Sequence, residues 1–164
     1  MDYFEELLRR YRKKGLLIDT NLLLLYFVGR YDPNRISKFK RTMIFTIKDF
    51  YILSEIFEFF AKVVTTPNIL TEVSNLSNQL PNEIKPSYFS VFAKHLVKLE
   101  ENYITSIKIG SLKHFKNFGL TDSGIIDLVK DKYLVLTDDL RLAAYLQNAR
   151  IDVINFNNIR ALNW

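Results

Sequence analysis

Acidic residues follow directly after two apolar segments of this chain. Asp19 follows the segment 16–18, and Asp138 and Asp139 follow the segment 133–137. Short apolar runs that end in polar turn formers are typical of strands buried on both faces of a parallel sheet. Ligands of open α/β sheets bind outside the carboxyl ends of such strands, so these acids are candidates for function. An Asp before a helix is also a common N-cap, which is the structural alternative for Asp19.

Two further acids lie on predicted helices. Glu72 lies in a helix that Thr66 and Pro67 open, since proline is favoured in the first helical turn. Another predicted helix begins near Asp122, with Thr121 or Asp122 as its N-cap. Right-handed crossovers bring strand ends and the starts of the following helices to one edge of a sheet. The sequence therefore predicts the convergence of four acids: Asp19, Glu72, Asp122 and Asp139.

Four converging carboxylates indicate a particular chemistry. Carboxylates that lie close together repel one another and stay ionised at neutral pH only beside a cation. Oxygen ligands without Cys or clustered His select a hard ion, Mg²⁺ or Mn²⁺, and the chain has no cysteine. Such an ion activates water and neutralises charge on a phosphoryl oxygen. The reaction that fits is phosphodiester hydrolysis, and the net charge of +5 favours a polyanionic partner.

The elements that must position these acids alternate between strand and helix, which predicts an α/β fold. We expect three layers, α/β/α, around a mostly parallel central sheet. The 164 residues suit one domain, 1–164, with an N-terminal helix at 2–14 and a basic, aromatic insertion at 31–62. The predicted strands are 16–18, 62–65, 104–109, 133–137 and 151–154. The predicted helices are 2–14, 20–28, 47–61, 68–80, 87–101, 140–148 and the one that begins near Asp122.

The insertion carries the densest basic cluster in the middle of the chain, interleaved with Phe39 and Phe45. Cations and aromatic rings together can hold a single strand of RNA through phosphate contacts and stacking. The alternative is a solvated helix whose aromatic side chains face the core. The candidate RNA-binding residues are Arg35, Lys38, Lys40 and Arg41.

We expect neither a signal peptide nor a membrane span in this sequence. Residues 1–6 lack the basic start and apolar middle of a signal peptide. No apolar run is long enough to cross a bilayer. The absence of cysteine fits an intracellular setting. We therefore expect a cytoplasmic protein with no membrane partner.

The order of the acidic motifs resembles that of the PIN-domain nucleases. In that family, the first strand ends in Asp, a small polar residue and Asn, and a second acid follows a Thr/Ser-Pro-like helix start. A third acid opens a helix after Leu-Thr or Leu-Ser, and the last motif is Thr-x-Asp. The matching segments are Ile18-Asp19-Thr20-Asn21, Thr66-Pro67-Asn68-Ile69-Leu70-Thr71-Glu72-Val73, Gly119-Leu120-Thr121-Asp122-Ser123 and Leu136-Thr137-Asp138-Asp139.

The resemblance implies a role for each matched position. The family's catalytic, metal-binding acids match Asp19, Glu72, Asp122 and Asp139. Asn21 and Thr137 match polar positions that support the acids, and Asp138 fills a variable position beside them. The implied activity is Mg²⁺- or Mn²⁺-dependent cleavage of RNA. Many family members are toxins, so an antitoxin protein and a homodimer partner are further expectations, although this chain is longer than many compact toxins.

Other interpretations of the same residues remain open. A PIN-like module could bind RNA or protein without cleaving, despite its four acids. A haloacid-dehalogenase-like phosphatase needs Asp-x-Asp after the first strand, where Asn21 stands here, and a phospho-acceptor domain needs an acidic pair near Asp19. Each acid could also simply cap its own helix. Asp127 lies five residues beyond Asp122, on another side of the helix, and is predicted to be a surface residue.

Overall fold

A five-stranded, all-parallel sheet organises the computed structural model, which describes residues 2–162. Its strands are β1 (Leu16–Ile18), β2 (Val63–Thr65), β3 (Leu99–Glu101), β4 (Leu134–Thr137) and β5 (Val153–Asn155). The strand order is β3-β2-β1-β4-β5. The chain thus builds outward from β1 to β3 and then returns to the other side of β1 with β4. The order reverses between β1 and β4, which is where open α/β sheets place their ligands.

Helices flank the sheet and complete the three-layer α/β/α arrangement, which confirms the predicted fold class. They are α1 (Tyr3–Tyr11), α2 (Thr20–Tyr31), α3 (Ile47–Phe59), α4 (Pro67–Ser77), α5 (Lys85–Leu96), α6 (Ser106–Gly110), α7 (Phe115–Val129), α8 (Leu140–Asn148) and α9 (Phe156–Leu162), with a 3-10 helix at Pro33–Lys38. Within residues 2–162, no helix is both long enough and apolar enough to cross a bilayer.

The centre of the core is formed by β1 and the helix that follows it. Leu16–Ile18 and Leu22–Leu25 are completely buried. A helix that is apolar all round must be covered on every side, which explains why α2 lies beneath α3, α4 and α5. Gly29 permits this close packing, because a Cβ atom there would lie 2.2 Å from a ring carbon of Phe50. The rigid β1–α2 unit therefore fixes the position of Asp19 between them.

The register of β1 and β4 sets the site. Ile18 pairs with Leu136, and the Asp19 N–H donates to the Leu136 carbonyl at 3.1 Å. The next residue of β4 is Thr137, so its side chain and that of Asp19 lie side by side at the carboxyl edge of the sheet. The strands are only three or four residues long, so a small shift in register would separate these two residues.

Several element boundaries differ from the predictions. The N-terminal helix ends at Tyr11 and not at residue 14, and the insertion 31–62 contains the 3-10 helix and α3. Residues 99–101 form β3 and not the end of a helix. The sequence did not indicate this strand, because it lies at the edge of the sheet, is largely solvent-exposed and lacks an apolar run. The predicted strand 104–109 is wrong: Thr105 caps the short helix α6, accepting from the Lys108 N–H at 3.2 Å. Residues 1, 163 and 164 of the predicted domain lie outside the described residues.

Candidate functional site

Asp19 lies at the junction of β1 and α2, with only 7% of its surface exposed. One carboxylate oxygen, Oδ1, accepts from the Thr20 N–H at 2.6 Å, and the other, Oδ2, accepts from the Thr137 hydroxyl. Asp19 is therefore the N-cap of α2, as the structural alternative proposed, and it is also fixed to β4. A carboxylate buried to this extent is unfavourable unless hydrogen bonds or a cation compensate for the lost water.

Glu72 connects three helices at the same edge. Its Oε2 accepts from the Thr20 hydroxyl at 3.0 Å, and its Oε1 accepts from the Thr121 hydroxyl at 2.7 Å. The N-cap of its helix is Thr66, which accepts from the Ile69 N–H at 3.2 Å. Glu72 therefore lies in the second turn of α4 and not at its start. Both of its oxygens face the first turn of α2 and the middle of α7.

Asp122 lies in α7 just beyond a kink. Gly119 has φ 75° there, a conformation that glycine adopts without strain, and it divides α7 into two limbs. The prediction that Thr121 or Asp122 caps this helix is wrong, because both lie inside α7 and the Thr121 hydroxyl contacts Glu72. Burial, together with the charges of Asp139 and Glu72, raises the pKa of Asp122 to about 6.

The end of β4 supplies two acids with different surroundings. Asp139 is exposed and caps α8, where its Oδ1 accepts from the N–H groups of Arg141 and Leu142 at 2.8 and 3.0 Å. Its own N–H donates to the Thr137 hydroxyl at 3.0 Å. Asp138 is half-buried, and its Oδ1 has no hydrogen-bond partner among residues 2–162. Burial raises the pKa of Asp138, and the Asn21 amide opposes that rise.

The predicted convergence of the four acids is therefore present in the fold. Burial, together with the charges of Asp122 and Asp138, raises the pKa of Asp19 to about 7 against the opposing hydrogen bonds from Thr137 and Thr20. The carboxylates that follow β1 and β4 and those on α4 and α7 are therefore close enough for their charges to repel one another. All of these side chains lie where the order of the parallel strands reverses. Their catalytic and metal-binding roles stay predictions.

The carboxylate oxygens of the four acids suit a hard divalent cation in charge and chemistry. The possible ligands are oxygens only, and a bound cation would offset both the burial and the repulsion that raise the pKa values of Asp19 and Asp122. Suitable chemistry does not by itself give the geometry of a metal site. Within residues 2–162, no three His, Asp or Glu side chains are arranged as a ready chelating group. Instead, Asp19 and Glu72 accept hydrogen bonds from threonine hydroxyls, and Asp139 accepts from helix N–H groups.

The basic cluster of the insertion lies apart from these acids. It begins in the 3-10 helix, and the Arg41 Nε donates to the Gln79 side chain at 2.8 Å, beyond the far end of α4. Phe39 and Phe45 are buried, so they cannot stack on a nucleotide, and the alternative in which they face the core is correct. Lys38, Lys40 and Arg41 are exposed and Arg35 is half-buried, and among residues 2–162 no hydrogen bond or ion pair joins the four cations to the acids. Their RNA-binding role stays a prediction.

Two arginines whose charges act on these acids were not predicted from the sequence. Arg160 of α9 contacts the fully buried Asp49 at 3.0 Å, donates to the Ile44 carbonyl, and opposes the raised pKa of Asp138. Arg141 is exposed and counteracts the raised pKa of Asp122. A signal for Arg141 existed, because a cation in the first turn of a helix is unfavourable beside the positive end of the helix dipole. Arg160 gave no comparable signal, since α9 itself was not predicted.

Comparison of the chain with protein-family models, with curated proteins and with solved structures gives no match. The resemblance to PIN-domain nucleases therefore depends on the four motifs and on where the fold places them.

Proposed function

We propose that this chain is a metal-dependent ribonuclease of the PIN type that hydrolyses RNA phosphodiester bonds. One observation carries the proposal: acids from four separate elements lie at the reversal point of a parallel sheet, where Asp19 is buried, Asp122 is partly buried, and neighbouring carboxylates repel both. Isolated N-caps need no such convergence. Strongly perturbed carboxylates in one place are typical of functional sites.

The residues proposed to hold Mg²⁺ or Mn²⁺ are Asp19, Glu72, Asp122 and Asp139. Such an ion lowers the pKa of a bound water and neutralises charge on a phosphoryl oxygen. The chain's own residues orient the acids. Thr137 fixes Asp19 through its hydroxyl and receives the Asp139 N–H, so it sets the distance between the two strand ends. Thr20 and Thr121 hold the two oxygens of Glu72.

Two supporting positions complete the proposed site. Asn21 is exposed in the first turn of α2, and its amide favours the charged form of Asp138. Asp138 adds negative charge next to Asp139 and raises the pKa of Asp19. We assign both of them to support of the site and not to the reaction itself. The substrate is RNA, and an antitoxin protein and a second copy of this chain are proposed as further partners.

A second candidate function is a PIN-like module that binds RNA or protein without cleaving it. The observation that favours it is the absence of a ready chelating arrangement among residues 2–162. In this case, the acids would bind no metal ion, and Asp19 and Glu72 would keep their hydrogen bonds from threonine hydroxyls when the protein functions.

Cleavage of a fluorophore-labelled, single-stranded RNA separates the two functions. The wild-type chain should cleave with Mg²⁺ or Mn²⁺ and stop when a chelator is added. Asp122→Asn should reduce the rate at least about 100-fold, since even loss of outer-shell support at metal sites reduces activity about 10- to 100-fold. Asp127→Asn is the matched control, because Asp127 lies on the same helix but pairs with Lys108 at 3.3 Å. Equal background rates for all three chains would favour the binding module.

A further inference from the structure

Arg141 occupies an unusual position for a cation. It lies in the first turn of α8, two residues after Asp139, where the helix dipole disfavours positive charge. Its side chain is exposed and nevertheless fixed. The guanidinium carbon lies 4.8 Å above the centre of the Phe118 ring, and one terminal nitrogen donates to the Asn117 carbonyl at 2.9 Å. Both contacts come from the limb of α7 that precedes the kink at Gly119.

Arg141 forms no ion pair with any acid among residues 2–162, although the acids lie close by. Arg160, whose charge acts on Asp138, differs in this respect, because Asp49 and the Ile44 carbonyl engage its guanidinium. An arginine has five N–H donors, and the Asn117 carbonyl accounts for one of them. The planar guanidinium of Arg141 can therefore still donate to a phosphate in a bidentate manner.

Aromatic side chains extend this surface. Phe118 and Tyr145 are half-buried, and their ring centres lie 4.9 Å apart in an edge-to-face arrangement. The neighbouring Leu120 and Lys116 are exposed. Proteins that hold single-stranded nucleic acid combine a cation for the backbone with an aromatic or guanidinium plane for an unstacked base. In a duplex, the bases are already stacked and cannot reach such a plane.

We propose that Arg141 and Phe118 form a subsite that holds single-stranded RNA beside the acids, with the guanidinium on a phosphate and the stacked Arg141–Phe118 pair against a base. The inference rests on the proposed ribonuclease function, for which it specifies an unpaired strand as the substrate. Arg141 is exposed and its charge acts on Asp122, so it offers a polyanion a cation beside the acids.

Binding of a fluorescein-labelled single-stranded oligoribonucleotide, measured by anisotropy in chelator, tests the subsite without requiring cleavage. Arg141→Ala should weaken binding about tenfold, and it should reduce the slope of log affinity against log salt by about 0.7, because one phosphate contact is lost. Arg141→Lys keeps the charge and should preserve the salt slope while still weakening binding. Phe118→Leu should weaken binding about fivefold with an unchanged salt slope.

Arg9→Ala is the control, because it removes the same charge from an exposed position on α1. It should bind as the wild-type chain does. Equal affinity of Arg141→Ala and Arg9→Ala would overturn the subsite, and so would tighter binding of a duplex than of a single strand, or no measurable binding by the wild-type chain. Binding that depends on Arg141 in a chain that never cleaves would support the subsite and reject the ribonuclease.

Discussion

The two edges of the sheet carry opposite charges in opposite surroundings. At the amino edge, each strand is preceded within three residues by a cation that lies at or near the surface. These cations are Lys14, Lys62, Lys98, Lys132 and Arg150. At the carboxyl edge, Asp19 is buried and Asp122 is partly buried, and both have raised pKa values. The same topology creates both clusters, so convergence alone does not mark a functional site. Burial of like charges does mark one, because such burial destabilises the folded state and folding alone does not explain it.

Removal of the Asp19 charge gives the largest expected change. The pKa of Asp19 is about 7 in the folded chain and about 3.9 when unfolded, so the folded state binds the extra proton between these values. The stability that the folded state gains from this bound proton is complete below about pH 4 and is lost as pH rises through about 7. The free energy of unfolding of Asp19→Asn should therefore rise relative to that of the wild-type chain over this range, by on the order of 4 kcal/mol at the upper end.

Urea unfolding at a series of pH values measures this gain. Lys62→Ala is the control at the amino edge, where Lys62 pairs with Glu100 at 3.7 Å and both side chains are partly exposed. Its free energy of unfolding should follow the wild-type pH dependence, with a change of less than about 1 kcal/mol. A constant difference between Asp19→Asn and the wild-type chain across all pH values would show that the buried charge is not the cause.

Two threonines allow a smaller and more local comparison. Thr137 and Thr65 are the last residues of β4 and β2, and both are completely buried. The Thr137 hydroxyl bonds to Asp19 and to the Asp139 N–H, whereas the Thr65 hydroxyl has no hydrogen-bond partner among residues 2–162. Thr137→Val should reduce the free energy of unfolding by roughly 1–3 kcal/mol, and Thr65→Val should leave it unchanged or increase it. Equal losses in thermal unfolding would indicate that both residues only fill space.

The parts of the fold that the sequence predicted well have a clear apolar pattern, which is continuous in β1 and confined to one face in α8. Residues 16–18 form β1 and residues 140–148 form α8 within the predicted bounds, because the flanking Gly15 and Asp139 mark these boundaries locally. The convergence of the acids followed from parallel topology and required no knowledge of side-chain contacts. The fold class was confirmed for the same reason.

The missed parts depend on information that no local pattern contains. β3 is a largely exposed edge strand, so it lacks the apolar run that identified the other strands. The Thr121 hydroxyl contacts Glu72, 49 positions earlier in the chain, and no local pattern distinguishes this contact from a helix cap. Arg141 and Phe118 come from different helices, and the limb of α7 that carries Phe118 ends at the kink at Gly119, which no local pattern predicted.

Calorimetric titration with Mn²⁺ at about pH 6.5, in two buffers of different ionisation enthalpy, tests most directly whether the carboxyl edge is a cation site. Carboxylates that hold a metal must be deprotonated, and the pKa of Asp19 is about 7, so binding should release about one proton to the buffer. Asp19→Asn should bind Mn²⁺ more weakly and release only a fraction of a proton, from Asp122, whose pKa is about 6. Equal binding by both chains, or binding without proton release by the wild-type chain, would contradict a metal site formed by these acids.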